Sequence, residues 1–129
     1  MNSDNSKPKD NREMLQEILD ELTAHNSDIL SALVVSDEGL NVASGIPRGD
    51  DDSTAVTASD LIDMSEDFSQ RLEQGNLNRI LLEGEQRTTI IVRAGKHTVL
   101  TVLIPAEVKL GLIILSMRRA AERIAALFG

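Results

Sequence analysis

Few side chains in this 129-residue sequence are of types that do chemistry near neutral pH, and the spacing of those few argues against it. His25 and His97 are the only imidazoles. Each falls at the edge of an expected element, and Asp28, three residues after His25, makes no metal or catalytic pair by itself. Asp50, Asp51 and Asp52 form an acidic run, but a calcium loop needs alternating oxygen ligands, a central glycine and a late glutamate, and none follows. Their place just before an expected helix suits the positive end of its dipole instead. Glu83 and Glu85 flank an expected turn and face solvent, which does not suit general acid/base work. Gly95-Lys96 lacks the upstream glycine and the following Ser or Thr of a phosphate loop, and no G-x-S-x-G or G-x-G-x-x-G occurs. With no cysteine there is no thiol chemistry and no disulfide. The reading is of a chain that is not an enzyme and holds neither metal nor cofactor.

Charge narrows the partners. Thirteen Lys and Arg stand against 21 Asp and Glu, a net charge of −8, and such a field repels phosphate backbones and anionic lipid heads. Phe68 and Phe128 are the only aromatics, so base stacking has almost no material. Neither nucleic acid nor membrane is expected as a partner. Arg118, Arg119 and Arg123 either dock an acidic partner or, with an Arg118 to Glu122 pair at four residues, simply stabilise a helix end. Met1 to Asp10 lacks the apolar middle of a signal peptide, and no apolar run is long enough to cross a bilayer, so a cytoplasmic location is expected. Residues 1–10 are expected to be a disordered tail and residues 11–129 one domain.

The elements that carry these residues follow from periodicity. Met14, Leu15, Ile18, Leu19 and Leu22 repeat at the helical period after a cap at Asp10 or Asn11, with Glu13 completing a capping box, which predicts a helix over about 11–25. The run from Ile29 to Ser36 is apolar at odd and even positions alike, as in a strand covered on both faces, and Asp37-Glu38-Gly39 turns the chain into a strand from Leu40 to Ser44. A second helix over about 54–74, capped by Ser53 or Thr54, carries Ala58, Leu61, Ile62, Ser65, Phe68, Ser69 and Leu72 on one stripe, widened by Met64. Strands at Asn78 to Glu83, Thr88 to Arg93 and His97 to Ile104 form a meander. A last helix from Leu110 to Phe128 keeps Leu110, Ile114, Met117, Ala121, Ile124, Ala125 and Phe128 on its inner stripe.

This order gives an α/β fold in which a five-stranded, mainly antiparallel sheet lies between helices. Five strands at about 4.8 Å make a sheet roughly 20 to 24 Å wide, and a helix with its side chains is about 10 Å across. Two helices blanket one face, while the third covers only half of the other. A second copy of the chain is the simplest cover for the remainder. The second helix, with small Ala58, Ser65 and Ser69 beside large Leu61, Phe68 and Leu72, either lets another helix approach, which the sheet width favours, or packs only on its own sheet with Ser65 and Ser69 bordering solvent.

The order of elements, the first helix Leu15 to Leu22, the strand-turn-strand Ala32 to Leu40, the stretch Asn78 to Glu83 and the run Leu110 to Ile124 together resemble the Roadblock family, the dynein light chains and MglB-type regulators of small GTPases, over about residues 12–128. The resemblance implies a profilin-like sheet and a homodimer, or a heterodimer with another Roadblock chain. In it the second helices pack together and the strands around Ile80 to Leu82 pair across a two-fold axis. It places Leu61, Met64, Ser65, Phe68, Leu72, Ile80, Leu81 and Leu82 at that interface. It further implies a Ras-like GTPase as partner, met by Arg48, Asp60, Glu66 and Arg71, with bacterial members speeding GTP hydrolysis by holding the switch loops and the attacking water. Arg48, in a Gly/Pro loop, is the candidate for a charged finger, although a solvated loop residue is the plainer reading. The alternative function is a scaffold of the dynein light chain type that assembles a multiprotein complex. An enzyme or small-ligand sensor that uses the sheet as a pocket wall is a third reading, against which no convergent polar cluster is visible.

Overall fold

The computed structural model describes residues 8–128, as three helices and five strands. The chain runs through α1 (Asn11–His25), β1 (Ser31–Ser36), β2 (Asn41–Ser44), α2 (Asp51–Arg71), β3 (Ile80–Glu83), β4 (Arg87–Arg93), β5 (Thr98–Pro105) and α3 (Leu110–Phe128). Most of the tail expectation falls on residues 1–7, which lie outside the described residues.

The carboxylate of Asp10 caps α1 by accepting from the Glu13 N–H at 2.9 Å. That sets the phase in which Leu15, Ile18, Leu19 and Leu22 turn inward together. β1 is buried along almost its whole length, as expected for a central strand. The order across the sheet is β2-β1-β5-β4-β3, with every neighbouring pair antiparallel. The long crossover carrying α2 therefore leaves β2 at one edge and returns the chain to β3 at the other.

Two cores sit on the two faces. α1 and α3 pack on each other and over Ala32, Val34, Ile90, Val92, Leu100, Val102 and Ile104. α3 turns slightly from the expected stripe: Ile113 and Ala120 are buried with Met117, Ala121 and Ile124, while Phe128 is exposed. It also approaches the β4-β5 turn closely. A Cβ at Gly95, whose φ is +105°, would sit 3.3 Å from the Ala125 Cα. On the opposite face a smaller core joins Ala55, Ala58 and Ile62 of α2 to Leu33, Val35, Ile91 and Val99.

α2 starts three residues before its expected first residue. Ser53 and Thr54 lie inside the helix rather than at its cap, and Asp50 holds the N-cap position without a side-chain bond. The start is closed by Asp51, whose carboxylate accepts from the Arg48 N–H and the Ser44 hydroxyl, both at 2.9 Å. The acid run thus works partly as tertiary glue, which no local cap rule describes.

Candidate interaction surface

α2 is held to the sheet at both ends and in the middle. Ser59 donates to the Asp37 carbonyl at 3.0 Å, over the β1-β2 turn where Gly39 has φ +81°. A Cβ at Gly39 would stand 3.3 Å from the Val56 Cα, so the turn tolerates the helix overhead because that residue has no side chain. Ser69 is buried and donates to the Gly75 carbonyl at 2.9 Å, closing the C-terminal end. It was expected to help another helix approach; it is instead spent inside the protomer.

A helix advances roughly 100° per residue. Ala55, Ala58, Ile62 and Ser69 therefore form one stripe against the sheet, and Leu61, Ser65, Phe68 and Leu72 form a second, about a quarter turn away. The single stripe expected over α2 is in fact these two. The second is largely bare: Phe68 is 61% exposed, Leu72 54% and the flanking Met64 69%, with Leu61 and Ser65 half-buried. Large apolar side chains aligned along one helix and left in water mark a surface that something covers.

The sheet beside that stripe is bare as well. On the α2 face the helix covers Ile91 of β4, but the sheet beyond it toward Leu82 of β3 lies open, and a groove of about 260 Å³ runs between α2 and the strands, lined by Ala58, Leu61, Leu82, Thr89, Ile91 and Thr101. Leu82 is 55% exposed. The Thr101 hydroxyl is buried at the groove floor and is the one buried side-chain polar atom without a hydrogen-bond partner among the described residues. β3 is an edge strand, paired only to β4. Register puts Ile80 and Leu82 on the α2 face, opposite Ile91 and Thr89, and Leu81 on the α1/α3 face, opposite Ile90. The three therefore reach both sides of one free edge.

Ionic contacts brace the flank away from this groove. The Arg93 guanidinium forks onto Glu66, Nε to Oε2 at 2.9 Å and Nη2 to Oε1 at 2.7 Å, and its Nη1 reaches Asp37 at 2.9 Å. His97 joins through Nδ1 to Asp37 at 2.8 Å. The hydrogen bond from Arg93 holds the Glu66 carboxyl below its ordinary range and raises the guanidinium in turn. At Asp37 burial pushes the pKa up, but the hydrogen bonds from His97 and Arg93 outweigh it and the net direction is down. This network ties α2, β4 and two turns together. Spacing alone did not reveal it, because its members are 27 to 60 residues apart.

The four residues implied to meet a GTPase are not one cluster. Glu66 is bound to Arg93 on one flank of α2. Asp60 and Arg71 lie on its solvent-facing side, exposed, with Arg71 paired to Asp67 at 2.8 Å. Arg48 precedes the helix and lies 3.4 Å from Asp50. Of the histidines, His25 bonds the Glu21 carbonyl and His97 joins the brace.

Comparison with known proteins gives one family. Residues 14–104 match the model of the Roadblock/LC7 domain. An uncharacterised protein of Methanocaldococcus jannaschii is 36% identical over 116 residues, which cover 89% of this chain and 100% of that protein. Among solved structures, MglB in a tetrameric arrangement gives a TM-score of 0.84 at 20% identity, over 94% of this chain and 92% of that one. Profilin IA of Acanthamoeba castellanii, at 11% identity and a TM-score of 0.60 over 88% of this chain and 98% of its own, shares the sheet-and-helix architecture.

Proposed function

The chain belongs to the Roadblock/LC7 family, and from that premise we propose that it is a dimeric regulator of a Ras-like small GTPase, with no active site of its own. The single observation that carries the reading is the second apolar stripe of α2 lying next to the free edge of β3. A second copy placed about a two-fold axis brings α2 against α2 and β3 against β3, burying Leu61, Met64, Phe68, Leu72 and Leu82 together. Each large apolar side chain so buried contributes about 1.5 to 3 kcal/mol before the cost of association. That MglB takes a tetrameric arrangement agrees with a fold whose surfaces self-associate.

The dimer offers the GTPase a rigid platform: two α2 helices side by side, each braced to its own sheet through Glu66 and Arg93. Phosphoryl transfer needs positioning and charge stabilisation more than covalent help. A platform that binds the hydrolysis-ready switch conformation more tightly than the resting one lowers the barrier by that difference. Asp60 and Arg71, exposed on the outward side of α2, are the side chains we assign to reading the partner. The proposed location is the cytoplasm, where such GTPases work. Among the described residues no helix is long and apolar enough to cross a membrane.

Single-turnover GTP hydrolysis by a Ras-like GTPase encoded near this gene, with and without the protein, tests the reading. A faster rate supports it. Binding with an unchanged rate leaves the scaffold function, and no binding overturns the GTPase assignment while leaving the dimer to be judged separately.

A further inference from the structure

The free edge of β3 carries a pattern that the fold does not need. Gly84 donates its N–H to the Arg87 carbonyl at 2.9 Å, which makes that pair a hydrogen-bonded one at the base of the hairpin. Antiparallel ladders alternate, so Glu83 opposite Thr88 and Leu81 opposite Ile90 are non-hydrogen-bonded pairs. The N–H and C=O of Leu81 and Glu83 therefore point away from β4, toward open solvent. Their side chains share the face packed by α1 and α3, since Ile90 belongs to that core. Arg79, two residues before Leu81, shares it too and lines a cavity of about 460 Å³ with Val92 and Ile114. Arg118 and Glu122 of α3 line the same cavity. Neither Arg79 nor Glu83 has an ion-pair partner among the described residues.

We infer that Arg79, Leu81 and Glu83 form a self-complementary code that sets the register of β3 against β3 in a dimer and selects a second copy of this chain as the partner. The inference rests on the dimeric reading above and deepens it. Two-fold antiparallel pairing sets residues of one face opposite each other, so permitted registers differ by steps of two residues. Centred on Leu81, the pairing sets Leu81 against the partner's Leu81, Ile80 against the partner's Leu82, and Arg79 against the partner's Glu83 at both ends. The outward-pointing groups of Leu81 then meet those of the partner's Leu81, and those of Glu83 face the partner's Arg79. Centred on Ile80, it sets Arg79 against an apolar leucine; centred on Leu82, it sets Glu83 against that leucine. Only the first register matches charge with opposite charge and apolar with apolar. A different Roadblock chain lacking either charge forfeits that match, so the edge favours the homodimer.

The test uses full-length chains in sedimentation equilibrium at low salt. Arg79→Glu and Glu83→Arg each place like charges opposite one another twice per dimer, and each weakens self-association about tenfold. An equimolar mixture of the two variants restores complementary pairs at both ends and associates with close to wild-type affinity, mostly as the heterodimer. Formation of that heterodimer also shows that both variants are folded. A wild-type dimer whose Glu83→Arg variant is unaffected, or variants whose mixture binds no more tightly than each alone, overturns the register while leaving the dimer standing. A monomeric wild type removes both.

Discussion

The two faces of the sheet are built to different standards of closure. On one, α1 and α3 pack on each other and on the strands, and Leu19, Leu100, Met117 and Ile124 are excluded from water. On the other, α2 seals Leu33 and Val35 of β1, Val99 of β5 and Ile91 of β4, and its second apolar stripe, the groove beside it and the edge of β3 remain open. One face closes the protomer, and the other leaves apolar surface in water that we propose a second copy covers. The difference teaches that α2, although a core helix by its buried stripe, carries a second apolar stripe that its own protomer does not cover.

If the faces divide the work in this way, substitutions on them change different observables. The largest effect is expected on the closed face. Leu19→Ala leaves a cavity between α1 and the sheet and lowers protomer stability by about 2 to 5 kcal/mol in urea unfolding. Next comes Phe68→Asp on the open stripe. It buries an unpaired charge against the second copy and weakens self-association by about 3 kcal/mol, more than a hundredfold in Kd, with the circular dichroism of the protomer unchanged. Leu81→Arg at the β3 edge acts in the same direction. Loss of protomer stability at Phe68, or loss of self-association without unfolding at Leu19, would erase the distinction.

The brace between α2 and β4 sharpens it further. Glu66→Gln removes the fork onto Arg93 and costs about 1 kcal/mol of protomer stability near neutral pH, discounted because both groups are partly exposed. The Glu66 carboxyl is held below its ordinary value of 4.5, chiefly by the hydrogen bond from Arg93. A depressed folded value means the contribution is complete above that ordinary value and fades as pH falls through the folded one. Thermal unfolding should therefore show a constant gap between wild type and variant from pH 7 to about pH 5, narrowing as the solution is made more acidic. The smallest effect is expected at Thr101, whose buried hydroxyl has no partner within the described protomer. Thr101→Val is neutral or stabilises by less than about 1 kcal/mol, because it removes an unsatisfied polar group without changing the side chain's shape.

The fold was legible in the sequence because its signals are local. The unbroken apolar run of β1 marks a central strand, the α1 repeat marks its inner face, and the Gly-bearing turns divide the meander. What escaped was side-chain bonding outside the simple cap and stripe patterns. Ser53 and Thr54 have the right chemistry for a cap, yet Asp51 fastened to Ser44 and to the Arg48 N–H starts α2 earlier. Ser69 reads as a small surface residue until its bond to the Gly75 carbonyl is seen. The two stripes of α2 read as one because they adjoin, and only the position of the sheet separates Ile62, buried, from Phe68, exposed. The brace of Glu66, Arg93, Asp37 and His97 has no sequence signature, since each partner comes from a different element.

Light scattering of the wild-type chain at micromolar concentration, beside Phe68→Asp, asks directly whether the open face is closed by a second copy. The account predicts twice the mass of one chain for the wild type and a single-chain mass for the variant, with the same circular dichroism for both. A wild type that scatters as one chain would contradict it.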